Sequence, residues 1–242
     1  MKTLSLLLAG FICCLPILEA YAAPRVLLPA IRPFAYEENG EVKGFDADLL
    51  EAINKQLGLK LKGEVVPLPR ILLYMDTTPE IVTFIARTPE REKLGIWLNK
   101  VFEQPYVLIS LTTTTKRPKN LADAKNFSVG VAKGSIGEQI ATKAELKQID
   151  VSQDEVTNAK KLIAGRIDVW LATNLAAMNA LKTLSLTRES VYMSYPVAQY
   201  ETWMAVTKDW TPQQRQQWQK ALNELTDSGE LQRLKTKWGL IW

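Results

Sequence analysis

A chain of 242 residues with 47% hydrophobic content and a formal charge of +4 has room for one large domain or two small lobes. Its slight excess of Lys and Arg is scattered, which argues against a nucleic-acid binder. Histidine is absent and both cysteines, Cys13 and Cys14, fall near the amino terminus, which excludes His-based zinc sites, Ser-His-Asp and Cys-His catalysis; no metal or cofactor is expected.

The chain starts with Lys2, an apolar stretch from Leu4 to Leu18, and small residues at A-x-A spacing in Ala20-Tyr21-Ala22. This reads as a secretory signal, residues 1–22, cut after Ala22. The apolar run is short for a membrane span, and Glu19 interrupts its end. Phe11-Ile12 before Cys13 fits a lipoprotein signal poorly, so the mature chain is expected in the periplasm without a thiol. Short β-rich runs then alternate with amphipathic helices, predicting an α/β fold with mainly parallel sheets. "RVLLPA" reads as a strand. "GFDADLLEAINKQLGLKL" reads as a helix with Asp46 as N-cap, Leu49, Leu50, Ile53 and Leu57 on one face, and Gly58 as the stop. "KLKGEVVPL", "EIVTFIA" and "PYVLISLTTTT" read as strands, and "TKRPKN" as the exposed entry to a second unit. That unit repeats the logic: "FSVGVAKGS" strand, "IGEQIATKAEL" helix, "KQIDVS" strand, "NAKKLIAG" helix, "IDVWLAT" strand, "NLAAMNALKTL" helix. A long strand, "ETWMAVT", leads to two closing helices, the first with Thr211 as N-cap and Pro212 at its first position.

Three strand-to-helix junctions carry candidate chemistry. In "FIARTPERE" the residue before Pro89 is pushed out of the α region, so Thr88 is expected to cap a helix beginning at Pro89. Arg91 then sits in a first turn, where a cation is opposed by about 0.3–1 kcal/mol. Either Arg87 or Arg91 meets an anion, Arg91 by a bidentate grip on a carboxylate, or both are solvated and paired with Glu90 or Glu92; spacing alone favours the second. In "VGVAKGSIGEQ", Ser135 and Glu138 have capping-box form behind Gly134, and the free amides there either hold an anion or are simply capped. In "AGRIDVWLATN", Thr173-Asn174 either cap a helix or bond a ligand, while Asp168 is expected to hold a turn or pair with Arg166. Arg70 and Arg32 follow strand candidates, and Trp97, Trp170 and Trp203 are expected in the core.

"RPFAYEENGEVKGFDADLLEAI", "ARTPEREKLGIW", "KNLADAKNFSVGVAKGSIGEQIA", "LIAGRIDVWLATN" and "LNELTDSGELQRLKTKWG" together resemble, in family order, the extracytoplasmic solute-binding proteins of family 3, the amino-acid-binding type, in a divergent "ARTPERE" form. The resemblance implies a two-lobed, type II periplasmic-binding-protein fold. Lobe 1 is placed at 24–108 and 200–242, lobe 2 at 109–199, with crossovers near Tyr106–Leu111 and Gln199–Val206. It implies no enzymatic activity and a monomer that hands an anionic or zwitterionic solute to a membrane permease or receptor. Alternatives are a cyclohexadienyl dehydratase-like enzyme on the same fold and a soluble sensor partner. The family's carboxylate-gripping arginine falls on Arg91, and its second-lobe backbone donors on Gly134, Ser135 and Ile136. Hydroxyl residues usual before the motif are replaced by Phe84 and Ala86, the expected aromatic by Ile31, and the ammonium-binding acid by Thr173. Arg87 and Arg70 are additions. A cleft lacking that acid leaves an α-ammonium without a partner, which points away from a standard amino acid and toward a small carboxylate-bearing solute.

Overall fold

The structure is a computed structural model that describes residues 23–240. The expected signal and its two cysteines lie outside them. The elements run β1 Arg25–Pro29, β2 Tyr36–Glu38, β3 Glu41–Lys43, α1 Phe45–Leu57, β4 Gly63–Val66, α2 Leu68–Thr77, β5 Ile81–Ala86 and β6 Ile96–Leu111. They continue β7 Ser128–Ala132, α3 Ile136–Lys143, β8 Gln148–Ser152, α4 Glu155–Ile163, β9 Val169–Thr173, α5 Asn174–Thr183, β10 Val191–Met193, β11 Ala198–Val206, α6 Pro212–Asp227 and α7 Glu230–Lys237.

One curled sheet runs β4-β1-β5-β11-β6-β9-β7-β8, with β10 added beside β6. The outer strands on each side are parallel, as βα units require, and the long strands β6 and β11 run antiparallel through the middle. These two pair from Ile96↔Val206 to Tyr106↔Ala198, with register shifts at Thr202/Trp203 and Met204/Ala205. Each side has its own core on both sheet faces. In the first lobe Phe45, Leu49, Ile53, Trp218, Leu222 and Leu234 pack beneath α1, α6 and α7, and Leu27, Ile71, Met75 and Ile85 pack beneath α2. In the second, Leu162, Trp170 and Leu181 fill the α4 and α5 side, and Val131, Ile140 and Leu171 the α3 side.

Local chemistry explains most helix ends. Thr211 caps α6 through a full capping box with Gln214. Gly58 stops α1 in the left-handed conformation. Three details differ from the sequence reading. The N-cap of α1 is Gly44, not Asp46. Gly44 has φ 124°, and a Cβ there would lie 2.1 Å from the Phe34 carbonyl oxygen, so only glycine fits. The carbonyls of Pro33 and Phe34 accept from the Phe45 and Asp46 amides instead, which places Asp46 inside the first turn. Second, "PRILLYMDT" is helical: Pro69 is tolerated in the opening turn of α2. Third, residues 89–95 form tight turns rather than a helix. The Arg91 amide donates to Thr88 O and the Leu94 amide to Arg91 O, each three residues back, and the short connection into β6 leaves no room to propagate a helix.

Candidate functional site

Between the lobes lies a cavity of about 810 Å³, within the usual range for small-molecule sites. The first lobe supplies Ile31, Phe34, Phe84, Ala86 and Arg91, and the second Ser135, Ile136, Glu155, Thr173 and Asn179. Tyr106 and Thr202 on the crossing strands form part of its wall. Phe102 stacks on Phe34 at 5.4 Å and meets the edge of Phe45 at 5.2 Å, stiffening the apolar side.

Arg91 is the unusual group. β5 ends at Ala86, and the turns after it carry the side chain back beneath that strand. The residue is only 2% exposed, and its Nη1 donates to Ala86 O at 3.1 Å. Nε and Nη2 are buried with no hydrogen-bond partner. Burial pulls its pKa down from the ordinary value, yet a guanidinium stays charged. A buried cation with two unspent donors is a poor structural choice and a good receptor for a bidentate anion.

The other arginines behave differently. Arg87 grips Glu92, with Nε–Oε2 at 2.9 Å and Nη2–Oε1 at 2.5 Å, and lies over Trp203 at 4.7 Å. It does not line the cavity, and the two tryptophans beside it, Trp97 and Trp203, are partly exposed rather than core. Arg70 projects to solvent from α2 and is likewise absent from the wall, because the helix turns it outward. Arg32 is at the cavity mouth, its guanidinium 3.7 Å from the Tyr36 ring.

The donors expected at the start of α3 are mostly occupied. The Gly134 amide donates to Glu138 Oε2 at 2.6 Å, and the Ser135 amide to Ala132 O at 3.2 Å. Ser135 Oγ accepts from the Glu138 amide. The Ile136 amide, first in the helix, has no intrahelical acceptor. Thr173 caps α5, its Oγ1 accepting from the Ala176 amide at 3.2 Å, and also lines the cavity. Asp168 holds the start of β7 rather than a turn, accepting from the Ser128 amide, and its ion pair is with Lys116 rather than Arg166.

Two cavity carboxyls were missed by sequence reasoning. Asp46 is 2% exposed with Oδ1 unpartnered, and burial pushes its pKa up to about 8. Glu155 opens α4; its Oε2 accepts from Trp170 Nε1 at 2.7 Å and Asn158 Nδ2 at 3.1 Å. Burial raises its pKa to about 7 against those two bonds. Both look in sequence like acids complementing a helix start. A tryptophan in the small-residue strand "DVWLAT", whose buried N–H needs an acceptor, was the one available hint of Glu155.

Contacts between the lobes beside the cavity include one ion pair and one close approach. Lys143 on α3 meets Glu90 at 2.5 Å, and a Cβ on Gly134 would stand 3.1 Å from Pro69.

The chain is 25% identical over 216 residues to the probable amino-acid-binding protein YxeM of Bacillus subtilis, covering 85% of this chain and 79% of that one. It is 25% identical over 224 residues to the L-cystine-binding protein TcyJ of Escherichia coli K12, covering 85% and 78%. Among solved structures, an ancestral arginine-binding protein bound to arginine superposes with TM-score 0.76 at 26% identity, covering 89% of this chain and 97% of that one. The model of one family matches residues 26–241, nearly all of the described chain, and the protein therefore belongs to the bacterial extracellular solute-binding proteins, family 3.

Proposed function

We propose that the protein captures a small carboxylate-bearing, amino-acid-like solute between its lobes and delivers it from the periplasm to an ABC-type permease. One observation carries this reading: the buried Arg91 guanidinium keeps Nε and Nη2 unpaired beside a cavity of about 810 Å³. A carboxylate there supplies the missing acceptors, and contacts to both lobes bias a hinge equilibrium toward closure. Relatives named as binders of amino acids, arginine and L-cystine support the ligand class. The lobe boundaries are those given by the resemblance, 24–108 with 200–242, and 109–199. Native mass spectrometry of protein purified from the periplasm should show a retained solute, and a thermal-shift screen of organic and amino acids should raise apparent stability. Tight binding confined to cationic or neutral solutes without a carboxylate would refute the reading.

A second reading has an observation of its own. Asp46 and Glu155, with pKa values about 8 and about 7, retain protons near neutrality and could serve as general acids in a dehydration. An ancestral amino acid-binding protein that is a precursor of cyclohexadienyl dehydratase shares the fold, TM-score 0.77 at 22% identity, a likeness of fold alone. Product formation from prephenate or arogenate is the discriminating assay.

A further inference from the structure

Glu155 is held more deliberately than a helix-opening residue requires. The two side chains that bond it, Trp170 and Asn158, are each fully buried, and each donates a side-chain N–H to the same carboxylate oxygen. Among the described residues no cation pairs with it: its ion-pair partners are none, and the remaining charge acting on it is that of Asp154, which repels. The residue is half-buried, and a carboxylate drawn partly out of water is normally paired. The carboxyl also lies in the cavity wall, on the side opposite the lobe that carries Arg91. Arg91, Tyr106 on β6 and Glu155 all line this one cavity.

We propose that Glu155 is the cation-accepting group of the cleft, so that the ligand is dipolar: its carboxylate meets Arg91 and its ammonium or guanidinium meets Glu155. The inference rests on the carboxylate reading of Arg91 and adds a second, opposite charge to the guest. It also answers the replacement of the expected acid by Thr173. The counter-charge is not lost but moved from the end of β9 to the start of α4. Asp46 fills this role less well. No hydrogen-bond donor supports its ionised form, whereas Trp170 and Asn158 favour the carboxylate of Glu155. Asp46 is therefore a neutral hydrogen-bonding group near pH 7, and Glu155 is the acid able to ionise when a cation arrives.

The test uses the signal-free protein, stripped of solute by unfolding and refolding, and titration calorimetry with matched probes. The standard L-amino acids and L-cystine are each run beside the 2-hydroxy acid of the same side chain; lysine is also run against norleucine and arginine against citrulline. For the tightest-binding amino acid, removing one cationic group should weaken wild-type binding by about thirtyfold or more. In Glu155→Gln that penalty should shrink to about threefold or less, and Glu155→Asp should restore part of it. A penalty that persists undiminished in a folded Glu155→Gln protein overturns the proposal. The wild-type comparison needs no variant: equal binding within every pair, amino against hydroxy acid, lysine against norleucine and arginine against citrulline, overturns it too, while leaving the role of Arg91 intact. If no probe with a carboxylate binds, the reading of Arg91 fails and this one falls with it.

Discussion

Replacing Arg91 by methionine separates binding from stability. Two buried donors, Nε and Nη2, have no acceptor among the described residues. Each such group costs about 1–3 kcal/mol, so removing both should return about 4 kcal/mol at mid-range. The substitution also deletes the charged bond from Nη1 to Ala86 O, worth about 1.5–3 kcal/mol. Methionine keeps an unbranched chain that fills most of the arginine stem's space. The difference is a net stabilisation of about 2 kcal/mol, read by urea denaturation of protein refolded free of solute. Affinity should move the other way. Loss of a buried arginine–carboxylate pair costs about 2–5 kcal/mol, or about thirtyfold to several thousandfold in Kd by calorimetry with the retained solute. A ligand-free variant that loses more than about 2 kcal/mol while binding as tightly as wild type would show that Arg91 is a structural prop, and the reasoning would be wrong.

Asp46→Asn should change how stability depends on pH. The folded pKa of about 8 lies above the ordinary aspartate value of 3.8, so the folded state binds the proton more tightly. Its contribution is complete below about pH 4 and is lost as pH rises through 8, and the asparagine variant should lack that decline in urea melts at pH 5, 7 and 9. Lys143→Glu opposes Glu90 across the cleft and should weaken solute binding by about two- to fivefold at low salt, an effect that 0.5 M salt should largely erase, on the order of a surface pair. The double exchange with Glu90→Lys should restore affinity; a loss independent of salt would point to a different cause. Gly134→Ala combines a strained φ of +69° with a Cβ 3.1 Å from Pro69, so it should cost about 1 kcal/mol in the ligand-free protein and weaken binding further by resisting closure. Unaltered affinity in that variant would mean the lobes need not approach so closely.

Periodic segments made much of this architecture legible. The capped α6 and the stop of α1 at Gly58 follow from local chemistry that tertiary context did not override. Arg91 was singled out by the family resemblance, since spacing alone favoured a solvated side chain paired with Glu90 or Glu92. The turn holding it was misread, since Thr88-Pro89 signals a helix start whether or not the chain has length to continue. The α2 helix was hidden by Pro67-Leu68-Pro69, which reads as a break until the fold shows Pro69 in an opening turn. Asp46 and Glu155 were invisible for a different reason. An acid near a helix start is common, and only the third dimension shows that these two face a cavity without cationic partners. Arg70 and Arg87 were overread by the same route, because charge in sequence does not say which way a side chain turns.

The pairing of Val82–Ala86 with Thr202–Val206 ties together segments more than a hundred residues apart. During synthesis the amino-terminal portion can form β1, β4 and α1, but the strand that covers the flank of β5 has not yet been made. The second lobe, whose strands lie between those segments, has no such wait. Folding should then proceed from the inserted half outward, with the last-made residues completing the first-made ones. A ribosome-stalled fragment ending before residue 198 should accordingly protect the amides of β7 and β9 from hydrogen exchange more strongly than those of β5, which then has only β1 beside it.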